Sequence, residues 1–147
     1  MGVFHKAHMR SAIGCIMRDC DGDWTRGYKS MIGLDVPVTT ALWSIFYALK
    51  MAWENDEKSV VVKCDCEEAV ALISNVDPTF DMFKLVCMIR NLMLEELELY
   101  DLVHIASSVN IAATALANSV IFDVGVLVEI SFPPSYMLSL LVVDKRV

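Results

Sequence analysis

The spacing of apolar and polar positions changes several times along the chain, and each change marks an element. Residues 11–18 (SAIGCIMR) are apolar with short polar interruptions, the run DCDGD at 19–23 supplies Asp-Gly turn chemistry, and WTRGYKSMI at 24–32 alternates large and polar side chains. That pattern predicts a β-hairpin. Gly33 and Pro37 bracket a loop, after which Leu42, Ile45, Phe46, Leu49 and Trp53 recur at helical spacing to about Asn55. The β-branched run SVVVKC at 59–64 predicts a strand buried on both faces of a parallel sheet. Glu67 and Glu68 suit a helix N-terminus, with Ala69, Val70, Leu72 and Ile73 on its apolar side up to a break at Asn75 to Pro78. A longer helix is expected from about Phe80 to Leu97, with Met82, Val86, Ile89 and Met93 as its inner stripe.

The stretch DLVHIA at 101–106 predicts a last strand, and Asn110 is placed to cap a helix whose Ala113, Leu116, Ala117 and Val120 share a face. The tail FPPSYMLSLLVV is too apolar to stand in water alone. Strand, strand, helix, strand, helix, helix, strand, helix is the order of an α/β domain: a mixed sheet with an antiparallel start, parallel additions and helices on its faces. With no repeat, low-complexity tract or linker, one unit is expected, a domain over 1–124 with the apolar tail 125–147 packed on it.

Composition narrows the function. The 147 residues hold 19 acidic and 12 basic side chains, a net charge of -7 that argues against tight, non-specific nucleic-acid binding. The bases gather early, at Lys6, Arg10, Arg18, Arg26 and Lys29, while Glu95, Glu96, Glu98 and Asp101 cluster later, so an N-terminal face can still be locally positive. Cysteines at 15, 20, 64, 66 and 87 lack the paired spacing of a disulfide framework, and no secretory leader precedes them, so a reducing, intracellular compartment is expected. The Cys64-x-Cys66 pair has no second pair at zinc-ligand spacing near His5, His8 or His104. The uncharged stretch from Leu102 to Phe122 is long enough to span a bilayer, but His104, Ser107, Ser108, Asn110, Thr114, Asn118 and Ser119 make it a strand and a buried helix instead, with no membrane role. Met1-Gly2 starts like a myristoylation signal, but Lys6 stands where Ser or Thr is required.

Five segments in order, GCIMRDCDGDW at 14–24, ALWSIFYALKMAWE at 41–54, VVVKCDCEEAVALI at 60–73, HIASSVNIAATALA at 104–117 and FPPSYMLSLLVVD at 132–144, resemble the ribonuclease H-like domains abundant in plant genomes. That family is related to the ribonuclease H of retroelement reverse transcriptases. The resemblance implies a ribonuclease H-like fold with a five-stranded mixed sheet. It also implies hydrolysis of the RNA strand of an RNA·DNA hybrid by two Mg²⁺ ions, which need converging carboxylates. In the family these acids come from the first strand, the first helix, the end of the fourth strand and the start of the last helix.

By this resemblance Asp65 is the fourth-strand acid, and it is present. The helix acid falls on Ala41, before Leu42 and Trp43, and the last-helix acid falls on Thr114. The first-strand acid precedes a glycine, and before Gly2 it is either replaced by Met1 or lost upstream, which leaves open a truncated first strand. The family's Arg-Glu pair reads Ser107-Ser108, although Asn110 remains. Asp65 is thus the expected, weak Mg²⁺ ligand and the one matching catalytic position. Asp19, Asp21, Glu67 and Glu68 are better explained by turn and helix-start roles than as replacement ligands. Trp43 and Trp53 are expected in the core and His104 in a structural place. Three functions follow: a catalytically degenerate module that binds an RNA·DNA hybrid or RNA weakly, a protein-interaction or vestigial domain, and an active hybrid ribonuclease with substitute ligands.

Overall fold

A computed structural model describes residues 2–5, 10–33, 36–119 and 127–144. The elements are β1 (Gly2–His5), β2 (Arg10–Arg18), β3 (Trp24–Gly33), α1 (Pro37–Glu54), β4 (Ser59–Cys64), α2 (Glu67–Ser74), α3 (Phe83–Asn91), β5 (Leu99–His104), α4 (Ile111–Asn118), β6 (Leu127–Ile130) and α5 (Leu138–Asp144). The hairpin β2–β3 forms where the turn chemistry places it. Asp19 Oδ1 accepts the backbone N–H groups of Asp21 at 3.0 Å and Asp23 at 2.9 Å, and Gly22 takes the positive φ of 82° that the turn requires.

Helix α1 starts with Pro37 at its first position, where the missing N–H is no loss, and Val36 accepts the first bond from Thr40 at 3.0 Å. Its inner stripe, Leu42, Ile45, Leu49 and Ala52, is no more than 2% exposed. Trp53 corrects the expectation. One position past Ala52 it turns off the stripe and is 40% exposed, whereas Trp43 packs on the main core. That core joins Leu42, Ile45 and Leu49 to Cys64 of β4, Ile73 of α2 and Leu85, Val86 and Ile89 of α3. Helix α3 starts later than its apolar pattern suggests and ends in a π-helical turn, Leu92–Glu96.

The mixed α/β architecture with helices and a sheet is as expected, while among the described residues the strands do not join into a single five-stranded sheet. Among the described residues six strands divide into a four-stranded sheet, β1-β2-β3-β6, and a two-stranded parallel sheet, β4-β5. Two causes are visible. β6, hidden in the apolar tail pattern, adds antiparallel to β3 with Tyr28 opposite Glu129. Among the described residues β1 is four residues long and pairs with β2, Gly2 opposite Ile13 to His5 opposite Arg10, and no described strand bridges to β4. The tail then folds back, with Met137 fully buried against Ala112 and Leu116 of α4. Helix α4 lies on β2 closely enough that a Cβ on Gly14 would stand 2.5 Å from the Ala113 carbonyl oxygen and 2.6 Å from the Ala117 nitrogen. No helix among the described residues is long and apolar enough to cross a membrane. Met1, Lys6, His8 and Val120 lie outside the described residues.

Candidate functional site

Asp65 follows β4, a strand that alternates exposed and half-buried positions, contrary to the expected burial on both faces, and ends on buried Cys64 before the exposed start of α2. Its neighbours fix it from both sides: Cys64 is 2% exposed in the main core, and the Cys66 N–H donates to Cys64 Sγ at 3.4 Å. Burial pushes the Cys64 thiol up to about 11, so it stays a neutral core group. The Cys-x-Cys pair therefore serves local packing, and among the described residues no group of three or more His, Cys, Asp or Glu gathers at metal-binding distance.

The Asp65 carboxyl is half-buried, and desolvation raises its pKa above the ordinary 3.8, while Asn110 and His104 pull it back in part. Neither buried polar atom of the facing pair, Asp65 Oδ2 or Asn110 Nδ2, completes a hydrogen bond. Such orphans are uncommon in a folded interior and mark a place where polar chemistry is left open. Asn110 corrects the sequence reading. It sits at the helix N-cap position with φ -108° and ψ 38°, makes no side-chain cap bond, and is 8% exposed. A 3₁₀ turn at Ser107–Val109 carries it inward instead, toward the end of β4. The signal available beforehand was its survival in the resembling motif.

The other expected positions bring no acid. Ala41 is 3% exposed on α1, in the same buried cluster as Cys64. Thr114 lies one turn beyond Asn110, and its Oγ1 donates to the Asn110 carbonyl at 2.9 Å, so the hydroxyl is already spent on the helix backbone. Met1, the first-strand position, lies outside the described residues. Asp19 and Asp21 are in the hairpin turn and Glu67 and Glu68 are exposed on the first turn of α2. A magnesium ion takes oxygen donors, and a bridged pair needs several carboxylates. One carboxylate beside an amide nitrogen and a committed hydroxyl does not fit a two-ion pair among the described residues.

The basic cluster is largely engaged. Arg26 pairs with Glu129, Arg18 Nη1 donates to the Leu141 carbonyl at 3.3 Å, and Lys29 Nζ lies 3.3 Å from Ser119 Oγ. The Arg10 side chain and Lys6 are outside the description.

A family model described as reverse transcriptase-like matches residues 1–120. The chain belongs to that reverse transcriptase-like family. A ribonuclease H protein of Arabidopsis thaliana is 28% identical over 109 residues, 74% of this chain, which spans only 17% of that protein's length. These two matches bear out the plant ribonuclease H-like resemblance. Among solved structures, the ribonuclease H1 of the halophilic archaeon Halobacterium salinarum superposes with a TM-score of 0.72 at 18% identity, covering 80% of this chain and 89% of that one. A ribonuclease H1 isolated from compost, solved in complex with an RNA/DNA hybrid, gives 0.72 at 20%, covering 82% and 91%. The N-terminal ribonuclease H domain of a Mycobacterium tuberculosis protein gives 0.71 at 18%, covering 80% and 86%. At these identities the reverse transcriptase-like chain shares their ribonuclease H fold.

The raised pKa of Asp65 has a testable consequence for this family member. The native state holds that proton more tightly than the unfolded chain, so the carboxyl's contribution to stability falls as pH rises from 3.8 through the raised value. Asp65→Asn is expected to raise Tm at neutral pH, with the advantage shrinking to nothing below pH 3.8, the ordinary value. Thermal melts across pH check this, and a lower Tm for the variant at neutral pH contradicts it.

Proposed function

We propose that this chain is a ribonuclease H-like module that binds an RNA·DNA hybrid or RNA weakly and does not cleave it. The observation that carries the reading is the composition of the Asp65 site, where Ala41 and Thr114 occupy the positions of the family's acids and Asp65 stands with an unpartnered oxygen. Retention of the fold supports binding, since A-form duplexes are recognised by shape and backbone contacts. The compost ribonuclease H1 in complex with a hybrid shows that this fold can seat one. The engaged state of Arg18, Arg26 and Lys29 and the net charge of -7 keep the affinity low. Its five cysteines suit a reducing compartment.

Fluorescence anisotropy of a labelled hybrid tests the binding. A contact set of about two phosphates is expected, so affinity falls roughly tenfold between 50 mM and 200 mM salt. Absence of binding at high micromolar protein, or binding indifferent to salt, contradicts the nucleic-acid reading and favours a protein-interaction role, the reading the net acidity supports.

A further inference from the structure

A cavity of about 270 Å³ lies where the end of α2, the end of α3 and the first half of β5 meet, and none of its lining residues belongs to the Asp65 site. Small-molecule pockets ordinarily run from roughly 300 to 1,000 Å³, so an occupant here is about the size of a single amino acid. The walls are of three kinds: the Arg90 guanidinium, the Asp101 carboxylate, and an apolar lining from Ile73, Met93, Leu94 and Leu102. Arg90 Nη1 donates to the Ile73 carbonyl, which holds the head group at the end of α2 and leaves the rest of its N–H fork without a hydrogen bond among the described residues. Asp101 is exposed, and although both charges line one cavity they do not close on each other as an ion pair.

The helix beside this cavity is distorted. After Arg90 the chain runs from α3 into the π-helical turn Leu92–Glu96, a rare conformation found mostly as single turns and frequently at functional sites. That turn supplies Met93 and Leu94 to the wall, and Leu94 is left 62% exposed, a large apolar side chain that a ligand's apolar part would cover. We propose that the cavity binds a free α-amino acid with an apolar side chain, of the size of leucine. Arg90 takes the carboxylate in the planar geometry that a guanidinium offers, Asp101 accepts from the ammonium, and the side chain lies on Met93 and Leu94. A carboxylic acid without the ammonium is disfavoured, because Asp101 shares the wall and Glu95 and Glu98 are exposed beside it in the chain. An amine without the carboxylate meets Arg90 instead. The inference holds whether or not the domain binds nucleic acid.

Titration of the isotope-labelled 147-residue chain with L-leucine, followed by its amide NMR shifts, tests the site. Saturable shifts at Ile73, Ser74, Asp101 and Leu102 are expected, with a dissociation constant on the order of 1 mM, the scale for a ligand of so few atoms. Isocaproate, which lacks the ammonium, and isoamylamine, which lacks the carboxylate, are expected to bind roughly tenfold more weakly or worse. Arg90→Gln is the direct variant, but it also removes the bond to the Ile73 carbonyl and so disturbs the end of α2. Asp101→Asn keeps that bond, and its affinity for L-leucine is expected to fall by roughly tenfold at an unchanged Tm. No saturation at about 10 mM L-leucine, or shifts confined to other residues, overturns the site. Affinity for isocaproate or isoamylamine equal to that for L-leucine, or unchanged affinity in Asp101→Asn, overturns the amino-acid ligand.

Discussion

Replacing Gly14 with alanine is expected to destabilise the protein by about 3 kcal/mol, the upper part of the usual range for an overpacked core. The added methyl would stand 2.5 Å from the Ala113 carbonyl oxygen and 2.6 Å from the Ala117 nitrogen, and both are backbone atoms of α4. The helix must move as a body, and it carries Ala112 and Leu116 with it, the residues against which Met137 is buried. For a domain of this size the loss corresponds to roughly 6–12 °C in Tm. Gly27→Ala is the internal control. Its Cβ would stand 2.5 Å from the Trp24 ring, a side chain that can swing aside once its 3.2 Å bond to the Ser131 carbonyl is given up. A smaller loss is therefore expected at Gly27. Circular-dichroism melts of both variants decide the matter, and a Gly14→Ala protein that melts with the wild type would refute the close packing of β2 on α4.

Ala41→Glu combined with Thr114→Asp is expected to lose stability without metal and recover part of it with Mg²⁺. Ala41 is 3% exposed, so an unpaired carboxylate there destabilises on the order of 4 kcal/mol, the scale of a buried uncompensated charge. Thr114→Asp also removes the 2.9 Å bond to the Asn110 carbonyl. Placed as the family's acids are, the two new carboxylates would add to Asp65, whose Oδ2 has no hydrogen-bond partner, the oxygen donors a hard cation needs. Mg²⁺ at a hundred times its dissociation constant would return about 2.7 kcal/mol by mass action. The wild-type Tm is expected to stay level over the same titration. An equal rise in the wild type would show that Asp65 already holds the ion and would defeat the ligand-loss account.

Much of this was legible in the chain. The hairpin declared itself through Asp19 and Gly22, which do in the structure what Asp-Gly chemistry requires. Helix α1 followed from the spacing of Leu42, Ile45 and Leu49, and Asp65 was placed at the strand end by the run before it. Features that depend on distant pairing were not legible. β6 has only four residues and reads as part of an apolar tail until β3 gives it an edge to bind. The division of the sheet depends on how far β1 reaches along β2, which no local periodicity encodes. Asn110 looked like a helix cap because caps are what asparagines before helices usually are. Only the 3₁₀ turn ahead of it sends the side chain inward to face Asp65.

The proposed retention of the fold without cleavage is tested by incubating a labelled RNA·DNA hybrid with the purified protein in Mg²⁺ or Mn²⁺. Intact hybrid is expected at protein concentrations where anisotropy shows binding. Metal-dependent cleavage that disappears in Asp65→Asn would contradict it.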